Sequence, residues 1–68
     1  MTAVTLNGEP HELPDDATVE TAVRALGAPD DGVAVAVDGE VVPRGEWART
    51  DVREGQQVEV LRAVQGGA

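Results

Sequence analysis

The chain has 68 residues, which leaves room for one domain and one small core, because a domain of this size buries only about 60% of the surface its unfolded chain exposes. Thirteen carboxylates against five basic side chains give a formal charge of −8, which repels a polyanion such as nucleic acid and favours a partner with a basic docking surface. No window approaches the roughly 18 apolar residues of a spanning helix, and Met1 to Val4 lacks the charged and apolar regions of a signal peptide, so a cytoplasmic protein is expected.

Val4 and Leu6 alternate with polar neighbours, and Asn7-Gly8 is a strong two-residue hairpin signal. A second strand then runs through Pro10 to Leu13, with Val4 opposite His11 and Leu6 opposite Glu9, so that Leu13 shares the apolar face of the first strand. Beyond Pro14-Asp15-Asp16 the apolar period lengthens: Val19, Ala22, Val23 and Leu26 form one helical stripe. Thr18 is placed to cap this helix, Glu20 complements its dipole, and Gly27 followed by Ala28-Pro29 stops it.

Gly32 opens a strand from Val33 to Val37, with Val33, Val35 and Val37 on one face and Ala34 and Ala36 on the other. Asp38-Gly39 predicts a second hairpin, with Glu40 to Val42 returning antiparallel before Pro43 ends the pairing. Arg44 to Arg49 reads as an irregular or short helical crossover, from which Trp47, the only aromatic residue, turns inward to plug one end of the core. Glu54-Gly55 is a third turn. The strand from Gln57 to Val64 is apolar on both faces by this reading, which predicts a place in the middle of a sheet.

The order hairpin, helix, hairpin, crossover, central strand predicts an α+β fold of the ubiquitin-like β-grasp type: a mixed sheet of four to five strands with one main helix across one face. Residues 1–64 make the domain and 65–68 a flexible Gly-Gly tail. Because the helix covers only one face, Ala34, Ala36, Leu61 and Ala63 line the open face as a partner-docking patch near the tail. Arg62, on the core side by alternation, reaches the rim with its charge in water.

No side-chain arrangement for catalysis is present. The chain has no cysteine, hence no thiolate nucleophile and no sulfur-rich metal site, and no lysine to accept an isopeptide bond. His11 has no nucleophile or second histidine arranged about it, and Asp15-Asp16 and Asp30-Asp31 suit turn and capping roles better than a metal site. No catalytic residue, metal ligand or bound cofactor is therefore assigned, and the protein is expected not to be an enzyme.

Taken together, Leu6-Asn7-Gly8, the helix start at Thr18-Val19, the run Val35 to Arg44 with its Val-Pro-Arg, Trp47, Val58 to Leu61, and Val64-Gln65-Gly66-Gly67 resemble the ThiS family, the sulfur carriers of thiamin thiazole biosynthesis. The resemblance implies that a ThiF-like adenylating enzyme activates the terminal glycine carboxylate with ATP. The carboxylate then becomes a thiocarboxylate that gives its sulfur to thiazole synthase, with a donor such as a cysteine desulfurase supplying the sulfur. By position Gly67 would bear the sulfur and Gly66 would be its slender neighbour. An α-carboxylate, with a pKa near ~3.5, is ionised and nucleophilic at neutral pH, and residues without Cβ thread a narrow channel. Ala68 departs from the family's Gly-Gly ending, so it must be absent or removed by a protease first. The alternatives are a carrier like the small subunit of molybdopterin synthase, an interaction module like the TGS domain, or a ubiquitin-like conjugating protein.

Overall fold

The computed structural model describes residues 1–28 and 32–62. Five strands and one α-helix follow in chain order: β1 (Thr2–Leu6), β2 (Glu9–Leu13), α1 (Val19–Ala25), β3 (Val33–Val37), β4 (Glu40–Val42) and β5 (Gln57–Arg62), with a 3₁₀ helix at Arg44–Arg49 between β4 and β5. The strands form one mixed sheet in the order β2-β1-β5-β3-β4. β5 runs parallel to β1 and antiparallel to β3, and both hairpins are antiparallel.

Both hairpins turn through a residue pair with positive φ, Asn7 (51°) with Gly8 (85°) and Asp38 (51°) with Gly39 (85°). This conformation matches the twist of the flanking strands and is tolerated by Asn, Asp and Gly better than by other residues. It sets the register: Val4 lies opposite His11, Leu6 opposite Glu9, and Ala36 opposite Val41. Helix α1 starts at a reciprocal cap in which Thr18 N–H donates to Thr21 Oγ1 at 3.1 Å and Thr18 Oγ1 accepts from Thr21 N–H at 3.5 Å. It ends with Gly27 N–H on the Arg24 carbonyl and Ala28 N–H on that of Val23, the paired bonds of a Schellman stop.

Between the sheet and α1 lies a core of Val4, Leu6, Leu13, Val19, Ala22, Val23, Val35, Val37, Trp47, Val58 and Val60, joined by Ala17 and Val52. Leu26 and Val33 are only partly buried. Ala17 and Val52 sit in irregular segments and were not expected inside. They are brought there because Val52 N–H donates to the Ala17 carbonyl and Val19 N–H to that of Thr50, tying the segment before β5 to the start of α1. Trp47 is buried as expected and donates its indole N–H to the Val42 carbonyl at 3.0 Å.

β5 does occupy the middle of the sheet, but for a different physical reason from the one expected. Its outer face carries Gln57 and Glu59, with Leu61 the only apolar side chain there among the described residues. Its place follows from bonding to both hairpins, not from two greasy faces. The described strand ends at Arg62; Ala63 and Val64, and with them the boundary between domain and tail, lie outside the described residues. Among the described residues, no helix is long and apolar enough to cross a membrane.

Candidate functional site

The face of the sheet away from α1 carries the sequence-predicted patch. Leu61 is 63% exposed and lies directly opposite Ala34, also exposed, in the β3–β5 ladder. Ala36, half-buried, stands two residues along β3 and faces Glu59 on one side and Val41 on the other. Val41 is 70% exposed. Leu61, Ala34, Ala36 and Val41 therefore make one apolar path across three strands, bordered by the carboxylate of Glu59. Sequence reasoning missed Val41, although counting back from the Asp38-Gly39 turn gives its register against Ala36. Arg62 is exposed, as expected for a rim residue. Ala63, Gly66 and Gly67, the remaining residues assigned to docking and to the tail, lie outside the described residues.

β5 leads from this face toward the tail, and turn residues hold it at two points. At its start, Asp38 Oδ1 accepts the Gln57 N–H at 2.9 Å while Asp38 N–H donates to the Gln57 carbonyl at 2.8 Å. Farther along, Asn7 Oδ1 accepts the Val60 N–H at 2.7 Å and Asn7 Nδ2 donates to the Val60 carbonyl at 3.2 Å. Asn7 and Asp38 were read from sequence only as turn formers. The sign that they do more is the choice of side chain: an amide or carboxylate at the first turn position carries hydrogen-bonding groups that glycine there would lack.

The remaining polar groups arrange no chemistry of their own. His11 is half-buried on edge strand β2, opposite Val4. Asp15 accepts from the Met1 ammonium at 2.7 Å; that hydrogen bond, helped by the charge attraction, holds its carboxyl below the usual carboxylate range and raises the amine. Asp30 and Asp31 lie outside the described residues. Two shallow hollows carry acidic residues on their walls, one with Asp38, Glu46 and Asp51 among apolar neighbours and one with Asp15, Asp16 and Glu54. Among the described residues no group of three or more His, Asp or Glu side chains is arranged to hold a metal ion.

Residues 4–67 match the ThiS family model. The chain belongs to the ThiS family. The matched stretch takes in Gly66 and Gly67 and leaves Ala68 beyond it. Among curated relatives, the sulfur carrier protein ThiS of Escherichia coli is 32% identical over 50 residues, 74% of this chain and 76% of that protein. A thiazole synthase of Magnetococcus marinus is 37% identical over 62 residues, and this chain spans only 19% of that protein's length. A second thiazole synthase, from Paramagnetospirillum magneticum, is 32% identical over 63 residues and is likewise spanned over 19% of its length. The crystal structure of ThiS from Geobacter metallireducens superposes with a TM-score of 0.81 at 32% identity, covering 97% of this chain and all of that one. This likeness agrees with the β-grasp expectation, and membership of the ThiS family agrees with the expectation of a sulfur carrier.

Proposed function

We propose that the chain carries sulfur for thiazole formation as a thiocarboxylate on Gly67. The observation that carries this reading is the ThiS match running through Gly66-Gly67, C-terminal to the central strand of the sheet. The ionised Gly67 carboxylate attacks the α-phosphate of ATP in a ThiF-like adenylating enzyme, pyrophosphate leaves, and the acyl adenylate remains. A persulfide drawn from a donor such as a cysteine desulfurase then displaces AMP at the acyl carbon to give an acyl disulfide, and a thiol attacks the distal sulfur of that disulfide, itself becoming a disulfide and releasing the thiocarboxylate. The chain supplies the reacting carboxylate and its presentation; the enzyme supplies the catalytic groups.

Two features support a docked mode of delivery. The path from Leu61 to Val41 is apolar and uncovered, and such a surface near the reacting end suits burial against a partner. The acidic balance of −8 complements a basic rim on that partner and speeds encounter. The two thiazole synthase relatives, each containing a ThiS-like stretch, support thiazole synthase as the enzyme that receives the sulfur. Three residues, Gln65 to Gly67, reach at most about 10 Å when extended, enough to enter a partner's pocket.

The test is intact-mass spectrometry of the protein isolated from its own cells. The expected species ends at Gly67 with one terminal oxygen replaced by sulfur. A population that keeps Ala68 and carries no sulfur, in cells actively making thiamin, would overturn the reading.

A further inference from the structure

The Asn7 side chain does for β5 what a longer β1 would have done. The strand pairing of β1 with β5 stops at Leu6 opposite Val58, because the chain then turns away through Asn7-Gly8. Asn7 N–H still donates to the Val58 carbonyl at 2.9 Å. In a parallel ladder the next rung would pair the Val60 N–H with the carbonyl of residue 7 and the Val60 carbonyl with the N–H of residue 9. The carboxamide supplies both groups from one side chain: Oδ1 takes the Val60 N–H at 2.7 Å, and Nδ2 reaches the Val60 carbonyl at 3.2 Å.

We infer that Asn7 is a positioning residue for the activation of Gly67, acting through Val60 to fix the direction in which β5 delivers the tail. This rests on the carrier reading proposed above. On the other side of β5, pairing with β3 continues to Val33 opposite Arg62. On the β1 side, Asn7 makes the last described bond. Gly67 lies seven residues beyond Val60, up to about 24 Å of extended chain. The direction of β5 sets where the chain leaves the docked domain toward Gly67, and activation requires the reacting atoms to meet in line. Docking through Leu61 and its neighbours does not involve Asn7, so losing the carboxamide should lower the fraction of docked complexes with the tail in place and leave docking itself little changed.

Asp38 provides the control. It also holds β5 through its side chain, but at Gln57, the end away from the tail. Glycine at either position keeps the turn, because both φ values are positive and glycine accepts them freely. The experiment compares chains ending at Gly67 and carrying Asn7→Gly, Asp38→Gly or neither, in ATP–pyrophosphate exchange with a ThiF-type adenylating enzyme, alongside amide hydrogen exchange of the free proteins. Asn7→Gly should lower kcat about five-fold with KM within about two-fold, and should speed exchange of the Val60 amide. Asp38→Gly should speed exchange at Gln57 and leave kcat unchanged. Equal kcat in the two variants, whether both fall or neither does, overturns the positioning role. Should Asn7→Gly fail to fold, Asn7→Asp replaces it: the acceptor on Val60 N–H is kept and the donor lost, so kcat should fall in the same direction by less, and a kcat equal to that of Asp38→Gly again overturns the idea. If the unsubstituted chain ending at Gly67 supports no exchange at all, it is the carrier reading that fails, and the hydrogen-exchange result still decides whether the clamp exists.

Discussion

Trp47 donates its indole N–H to the carbonyl oxygen of Val42 at 3.0 Å, so the 3₁₀ helix after β4 closes back on the end of the edge strand that precedes it. The ring is 5% exposed and belongs to the core, and the 3₁₀ helix that carries it packs against α1. Replacing Trp47 with Phe keeps most of the bulk but strands the Val42 carbonyl, and should destabilise the fold by about 1–2 kcal/mol. Trp47→Ala adds a cavity and should cost about 3–5 kcal/mol. Urea unfolding followed by far-UV circular dichroism measures both, since the variants have no tryptophan left for fluorescence. A Trp47→Phe protein as stable as the parent would mean that the bond to Val42 contributes nothing.

The open face yields a binding prediction. Leu61→Asp places a charge on a side chain that is 63% exposed, so stability should change by no more than about 1 kcal/mol. On association that charge is desolvated without a partner, and affinity for the adenylating enzyme should fall at least about ten-fold, or about 1.4 kcal/mol. Val41→Asp should act in the same direction if the docking path extends to β4. Calorimetric titration with a chain ending at Gly67 checks both. Normal binding by Leu61→Asp removes the docking role, and unfolding by it would contradict the face assignment.

The Met1–Asp15 pair predicts a pH dependence. The Asp15 carboxyl is lowered from its ordinary 3.8, first by the hydrogen bond from the ammonium and then by its charge, so its contribution to stability is present above 3.8 and fades as pH falls through the lowered value. The ammonium is raised from 8.0 by the same partner, so its contribution is complete below 8.0 and fades as pH rises through the raised value. Both groups are exposed, so the effect on overall stability is small and the sensitive readout is the titration itself. Carbon-detected NMR should show Asp15 titrating below 3.8, and acetylation of the Met1 amine should move that titration upward. If Asp15 titrates identically with and without the acetyl group, the pair does not form in solution.

Much of the fold could be read from local chemistry. Asn7-Gly8 and Asp38-Gly39 announce positive-φ turns, and each turn then fixes a register by counting outward from it. The spacing of Val19, Ala22 and Val23 announces a helix with one buried side. What escaped notice depends on contacts distant in sequence. Ala17 and Val52 lie in segments without period and enter the core only because their backbones pair with each other. The second use of Asn7 and Asp38 escaped for the same reason: the bonds reach 53 and 19 residues along the chain, to a strand whose neighbours local pattern does not specify. The tail was readable only as a motif, since glycine carries no side chain whose chemistry could be weighed.

The tail is where the carrier reading is most exposed to refutation. In the proposed activation a carboxylate oxygen of Gly67 meets the α-phosphate of ATP, and one further residue moves the free carboxylate by about 3.4 Å of chain, outside the tolerance of an organised site. The chain ending at Ala68 should therefore be a poor substrate for adenylation. The chain ending at Gly67 should support ATP–pyrophosphate exchange and then accept sulfur. Gly67→Ala in that shortened chain should lose activity, because a Cβ crowds a channel sized for glycine. Thermal melts of the three forms should superimpose, since the buried core lies within residues 4–60 and none of these changes touches it. Loss of exchange without loss of stability places the defect at the reacting end. Equal exchange by the forms ending at Ala68 and at Gly67 would show that the enzyme does not read the end of the chain, and the carboxylate of Gly67 could then not be the group it activates.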